Sequence, residues 1–263
     1  MYTMNKNIRS TDTRYLKNFQ YYEGDFIGTS LEVYGEYQQP EIDFLSQTIT
    51  GQVVWDVGAN IGVHTTAFAS LAKEVHSFEP FPAHFRLLEN NTRGLDNVFV
   101  YNLAIGNSDQ QLMMEDLEEL QESRNYGTVR VSDTGTIPVT QVRLDDMELP
   151  PPRLIKIDVE GYEYQALLGM EKIITEFQPH LNIEAMENVN DIVDFFEGMP
   201  YNLYWTCCRN YNENNYKQNK QNIFASPNSA IFSIFATTEQ IDGLPKVNGP
   251  EDTWEKLLER VNK

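Results

Sequence analysis

The sequence predicts an α/β protein, a mostly parallel sheet with helices on both faces, and three observations carry that prediction. Short apolar runs alternate with amphipathic stretches of helical period. A glycine-bearing turn joins the first clear run to the first clear helix. Acidic residues recur where the runs end, and open parallel sheets bind their ligands at the carboxyl ends of strands. The 263 residues, 41% hydrophobic and 12% aromatic, fit one domain with loop insertions. Within it, residues 1–50 form an N-terminal extension and helix. Residues 51–236 form the core with an insertion at 106–143, and 237–263 hold a C-terminal helix.

Residues 52–57 read as a strand, 58–62 as the tight turn and 63–72 as a helix. The unit repeats with a strand at 74–78 and a helix from Pro82 to about Asn91, closed by Gly94. A third strand follows at 98–103. Between 106 and 143 the pattern becomes short and alternating, at 111–114, 128–131 and 137–142, which predicts an inserted antiparallel hairpin region. Parallel logic resumes with a strand at 154–158, a helix over 162–176 and a strand at 180–184. A C-terminal antiparallel hairpin is expected from 201–205, 223–225 and 230–236, around a long Asn-rich loop at 209–222. Residues 254–261 read as a short amphipathic helix.

Twenty Lys plus Arg against thirty-nine Asp plus Glu, a formal charge of -19, would repel phosphate backbones and anionic lipid. Nucleic acid and membrane are therefore not expected partners. Nothing in the sequence has the length of apolar chain that crosses a bilayer, and the polar start lacks a secretory signal, so a cytoplasmic location is expected. The two cysteines, Cys207 and Cys208, are neighbours, which speaks against a disulfide framework or a CxxC site.

The turn Asp56-Val57-Gly58-Ala59-Asn60-Ile61-Gly62 lets backbone come close to a ligand, and Asn60 tolerates positive φ. It departs from the dinucleotide pattern G-x-G-x-x-G, because Asn60 takes the second glycine's place. Glu79 closes the next strand, where a carboxylate can accept from ribose hydroxyls. Carboxylates beside this turn suit a ligand carrying ammonium and sulfonium charges better than one carrying pyrophosphate, which favours S-adenosylmethionine over NAD. A nicotinamide oxidoreductase is the alternative enzyme, and an inactive cofactor-binding partner protein the non-enzyme alternative.

These segments resemble the FkbM-type family of S-adenosylmethionine-dependent methyltransferases through residues 53–62, Phe78-Glu79-Pro80 and Ile155-Lys156-Ile157-Asp158-Val159-Glu160-Gly161-Tyr162-Glu163. Residues 34–36, 103–106, 144–146 and 182–184 support the likeness. It implies a Rossmann-like class I methyltransferase fold and O-methylation of a hydroxyl, often on a sugar or polyketide-type molecule. It also implies that Asp56, Gly58, Asn60, Glu79 and Ala104 lie near the cofactor, and Ala59, Gly62, His64, Thr65 and Pro80 are expected beside them.

Methyl transfer to a hydroxyl is an in-line displacement helped by positioning and a base. Asp158 and Glu160 end a strand with i, i+2 spacing and face one side. They are the candidate bases, with Asp158 also near the cofactor. Glu184 ends the next strand and is a third, and Lys156 can keep one carboxylate ionised. His64 can approach the cofactor or serve as a base, whereas His76, His84 and His180 read as structural. No metal site is proposed. Tyr34, Glu36, Tyr126, Tyr211 and Tyr216 are the candidate acceptor wall, and the loops 115–126 and 209–222 its lid. The expected acceptor is a small molecule with a free hydroxyl, a sugar or glycan above others.

Overall fold

The computed structural model of the chain describes residues 7–117, 125–224 and 229–261. It opens with strands β1 (Ile8–Thr11) and β2 (Phe19–Tyr22), paired antiparallel, and helices α1 (Phe26–Tyr34) and α2 (Gln39–Ile49). Asp25 caps α1 by accepting from the Gly28 amide at 3.1 Å. Then come β3 (Val53–Val57), α3 (Val63–Ala69), β4 (Glu74–Phe78), α4 (Pro82–Thr92) and β5 (Val98–Tyr101). Strands β6 (Ala104–Ile105), β7 (Gln110–Met114) and β8 (Ile137–Val142) form a separate three-stranded sheet. The rest is β9 (Leu154–Ile157), α5 (Glu163–Leu168), α6 (Glu171–Phe177), β10 (His180–Glu184), α7 (Val189–Phe195), β11 (Asn202–Arg209), β12 (Ala230–Thr237) and α8 (Trp254–Val261).

The main sheet runs β11-β12-β10-β9-β3-β4-β5, with β12 antiparallel to both neighbours and every other pair parallel. This is the Rossmann-like methyltransferase arrangement that the sequence predicts. Chain order reverses beside β3: β4 and β5 lie on one side of it, β9 and β10 on the other. The loops leaving β3 and β9 therefore diverge and open a crevice at their carboxyl ends.

Alternation along β3 splits the packing between two faces. Trp55 and Val57 join the core that contains Leu167, Met170 and Ile174, while Val54 packs with Leu45 and Ile49 of α2 and Phe68 of α3. Asp56 shares the α2/α3 face with Val54, and the register carries it across to Lys156 and Asn182. A buried polar row thus crosses the sheet beneath α2 and α3, and its middle member, Lys156, reaches the cavity in the crevice.

Several elements differ from expectation. The helix expected over 162–176 is two short helices. Gly169 lies between them, where a Cβ would stand 2.2 Å from the Gly106 carbonyl oxygen. Asp145 restarts the backbone there, accepting from the amides of Lys172 and Ile173 at 3.2 and 3.1 Å. Residues 128–131 are not a strand: a 3-10 turn spans Tyr126–Thr128, and Val131 makes one isolated bridge to Met114. Helix α3 stops at Ala69 and β5 at Tyr101, each short of its expected end. Ile223 and Phe224 are irregular, and Ala225 lies outside the described residues. The β1–β2 pair, β6, α7 and one of the two N-terminal helices, where a single helix was expected, are additions to the expected elements.

Candidate active site

One cavity of about 420 Å³ occupies the crevice, lined from the β3–α3 turn, the end of β4, the β9–α5 loop and the 3-10 segment. The turn is built for close approach. Gly58 has φ +86°, and a Cβ there would stand 1.8 Å from the carbonyl oxygen of Asp158, so glycine alone lets the two loops touch. Asn60 follows at φ +51° and braces itself, its side-chain oxygen accepting from the Ile61 amide at 2.8 Å.

Glu79 stands at one end of the cavity. One oxygen accepts from the Asn60 amide and the other from the Phe81 amide, both at 2.8 Å, so the carboxylate fixes the turn it faces. Burial pushes it up to about 7 against the pull of those two donors. Asn102 holds the same corner, donating to the carbonyls of Glu79 and Pro80. Ala104 and Pro80 line the wall, and His84 lies 3.8 Å from Glu79, pushed down to about 3 by burial and hence neutral.

The other end carries the acids. Asp158, Glu160 and Glu184 can each bring one carboxylate oxygen within 4.8 Å of the others, a geometry able to hold a cation. Burial raises all three, but Lys156, donating to Asp158 at 2.9 Å, holds that group below the ordinary carboxylate range. Burial and the charge of Asp158 push Glu160 up to about 8 and Glu184 well above its ordinary range. Glu160 sits at φ +53°, and Arg130 reaches it from the cavity mouth at 3.7 Å while also pairing with Glu187 at 3.4 Å.

Besides Arg130, two groups here were not singled out in the sequence. Tyr37, on the α1–α2 connection, lines the cavity, and its hydroxyl is pushed well up by burial and the nearby acids. Glu41 of α2 is buried, accepts from Asn182 at 2.9 Å, and lies 2.9 Å from Nε2 of His64, itself a cavity residue. No local motif marks either, because both come from the N-terminal segment folded over the sheet.

Three expected cofactor residues stand behind the wall rather than in it. Asp56 is fully buried and accepts from the Thr65 hydroxyl at 2.7 Å, which also meets Ser77 at 2.9 Å. Gly62, at φ +94°, starts α3 against Leu88. All three shape the turn, but none lines the cavity.

The expected acceptor wall requires correction. Tyr34 is buried, donating to the Gln221 carbonyl and accepting from the Ile223 amide, both at 2.8 Å. Glu36 is buried beneath the loop 209–222, receiving Arg14, the Asn212 side chain and the Tyr216 amide. Tyr211 closes the loop by donating to the Lys220 carbonyl, and Tyr216 packs beside Gly35. Lys217 satisfies the carbonyls of Leu31 and Glu32 at the end of α1. The loop is fastened to α1, and only its start, at Asn210, reaches the cavity among its residues. Tyr126 is buried with its ring edge-on to Tyr22, while its neighbours Asn125, Gly127 and Thr128 line the cavity. Residues 118–124 of the other expected lid lie outside the described residues.

Residues 56–217 match the methyltransferase FkbM domain, more than half of the chain. The chain belongs to the FkbM methyltransferase family. The chain is also 33% identical over 131 residues to hexuronic acid methyltransferase AglP of Haloferax volcanii, covering 48% of this chain and 53% of that protein. The chain thus spans about half the length of that curated relative. Among solved structures it is similar to methyltransferase FkbM from Methylobacillus flagellatus KT, with TM-score 0.47 and 18% identity over 70% of this chain and 43% of that one. It is also similar to precorrin-6y C5,15-methyltransferase from Geobacter metallireducens GS-15, with TM-score 0.48 and 15% identity over 77% and 87% of the two chains. Among the described residues no helix is long and apolar enough to cross a membrane.

Proposed function

We propose that this FkbM-family protein transfers a methyl group from S-adenosylmethionine to a hydroxyl of a sugar or related small molecule. The observation that carries the reading is a single cavity with a glycine turn and Glu79 at one end and the Asp158–Lys156–Glu160–Glu184 cluster at the other. The residues fit the cofactor: only a Cβ-free residue at 58 leaves the loop contact open, and Glu79 faces the cavity with a buried carboxylate.

In this reading Gly58, Ala59 and Asn60 offer backbone to the cofactor, and Glu79 accepts from its ribose hydroxyls. When bound, the cofactor supplies a methyl carbon made electrophilic by a sulfonium. Asp158, kept ionised by Lys156, faces that positive charge at the end of β9. Glu160, pushed up to about 8, holds its proton at neutral pH in the free protein, Glu184 is raised in the same direction, and cationic charge entering the cavity favours the ionised form of each. Positioning of acceptor oxygen, methyl carbon and sulfur in line accounts for most of the rate. The relative named for hexuronic acid supports a sugar acceptor, and Arg130 at the mouth presents a guanidinium to an acidic one.

The test uses tritiated S-adenosylmethionine with p-nitrophenyl glucuronide, p-nitrophenyl glucoside and nucleotide sugars, analysed for methyl ethers. S-adenosylhomocysteine at a hundredfold excess over its Kd should stabilise the protein by about 2.7 kcal/mol, and NAD should not. Equal stabilisation by NAD, or label recovered on none of the sugars, would overturn the reading.

A further inference from the structure

Resting on the reading above, the geometry points to His64, oriented by Glu41, as the group that takes the acceptor hydroxyl's proton. His64 lies on the first turn of α3, lines the cavity, and is nearly buried, 7% exposed. Its Nε2 lies 2.9 Å from Glu41 Oε2, an ion-pair contact whose angle in the free protein falls outside hydrogen-bond geometry, and such catalytic contacts often align only when ligands bind. With Nε2 turned to Glu41, the remaining ring nitrogen is Nδ1. That is the division of labour of a base whose tautomer is set by a carboxylate.

Glu41 is held for this task rather than left as a solvated acid. Its other oxygen accepts from the Asn182 amide group at 2.9 Å and lies 3.3 Å from the Ser233 hydroxyl, both on the sheet beneath α2. Burial alone would raise it, but His64, Lys156 and Asn182 hold it below the ordinary carboxylate range. The charged neighbours are Lys156 and Asp158 from β9 and its loop, and the Cys208 thiol of β11 lies close to Glu41. The field of His64 reaches Asp158, so the imidazole shares the end of the cavity where the acids gather.

The acids themselves are poorly placed as bases. Asp158 is engaged by Lys156 at 2.9 Å, Glu160 is pushed up to about 8, and burial beside Asp158 pushes Glu184 in the same direction, toward its protonated form. In the proposed step the hydroxyl oxygen bonds to the methyl carbon as the carbon–sulfur bond breaks. The electron pair returns to sulfur, leaving a neutral thioether. The hydroxyl proton passes to Nδ1 of His64, and Glu41 offsets the imidazolium charge. His64 is therefore a catalytic residue and Glu41 a positioning residue.

Two measurements test this. Long-range proton–nitrogen spectra of the full chain, with no acceptor present, should show His64 as the Nε2–H tautomer and Glu41→Gln as a mixture. A His64 protonated at Nδ1 in the wild type overturns the proposal. With whichever sugar from the panel is methylated, His64→Asn should lower kcat by about 10² to 10⁴ at saturating donor and abolish the acid limb of the kcat profile. Glu41→Gln should shift that limb and cost about tenfold, while the S-adenosylhomocysteine Kd stays within about threefold in both variants. Unchanged kcat, or a Kd weakened as much as kcat/KM, overturns the assignment by placing His64 in the cofactor's pocket. If the wild type methylates none of the sugars, the acceptor reading falls, and the tautomer result still decides the His64–Glu41 pairing.

Discussion

Glu79→Gln separates the two things that the Glu79 carboxylate does. In the free protein it is an acid raised from about 4.5 to about 7, chiefly by burial. A raised carboxyl binds its proton more tightly folded than unfolded. Its stabilising contribution is therefore full below pH 4.5 and is lost as pH rises through 7. That interval corresponds to roughly 3 kcal/mol. Glutamine removes the titration but turns one amide N–H₂ toward a backbone N–H, from Asn60 or from Phe81, each of which now donates to a carboxylate oxygen at 2.8 Å. That mismatch costs about 1–3 kcal/mol at any pH. The variant should thus be less stable than wild type at pH 5 by that amount and close to it, or above it, at pH 8. Urea unfolding at the two pH values reads the difference. Ribose hydroxyls lose a charge-assisted partner worth about 1.5–3 kcal/mol, so S-adenosylhomocysteine should bind roughly 10- to 150-fold more weakly by calorimetry. Equal destabilisation at both pH values would refute the linkage argument, and binding within about threefold of wild type would refute the ribose assignment.

Lys156→Met leaves Asp158 and Asp56 without their buried cation and should cost about 3–5 kcal/mol, seen as a Tm lower by about 10 °C. Glu160 is raised to about 8, and a cationic ligand favours its ionised form. Affinity for S-adenosylmethionine should therefore climb between pH 6 and 8, by up to about tenfold per unit, and level off above; Glu160→Gln should flatten the climb, and a flat wild-type profile would contradict it. Glu36→Ala removes the acceptor of Arg14, Asn212 and the Tyr216 amide, so hydrogen exchange at 212–221 should accelerate at least tenfold while the cofactor Kd holds. Gly58→Ala drives a Cβ into the Asp158 carbonyl and should abolish cofactor binding, measured by calorimetry.

The strand–turn–helix around Asp56 and Gly62 was legible because everything that decides it is local: a run at 53–57 that is apolar but for Asp56, a positive-φ turn, and a helix with its own apolar stripe. Where the deciding contact is distant, the reading slipped. The break between α5 and α6 depends on Gly169 meeting Gly106, sixty-three residues earlier, and on Asp145 capping α6; the local pattern over 162–176 is an unbroken helix. Residues 128–131 have strand composition, but only Val131 finds a strand partner, Met114, among the described residues.

The site divides the same way. Glu79, Asp158 and Glu184 were legible as cavity residues because parallel sheets present their strand ends to ligands, whereas Glu160, expected to end the strand with Asp158, lies three residues beyond the end of β9 at φ +53° and reaches the cavity from a turn. An aromatic residue in a polar loop carries no such positional meaning, since stacking on a sugar and packing on a helix ask for the same ring. Tyr34, Tyr211 and Tyr216 went to packing because Glu36, buried at the end of α1, draws the loop 209–222 down onto it. Glu41 shows the converse. Its sequence context, a Pro-Glu at the start of an amphipathic helix, is that of a first-turn acid facing solvent. Only the fold shows that this helix lies across the polar row of the sheet. There Asn182, 141 residues away, and His64 turn an ordinary helix acid into a buried anchor. A residue whose partners all come from other elements leaves no pattern in its own neighbourhood, and the proton acceptor inferred for this chain is oriented by such a residue.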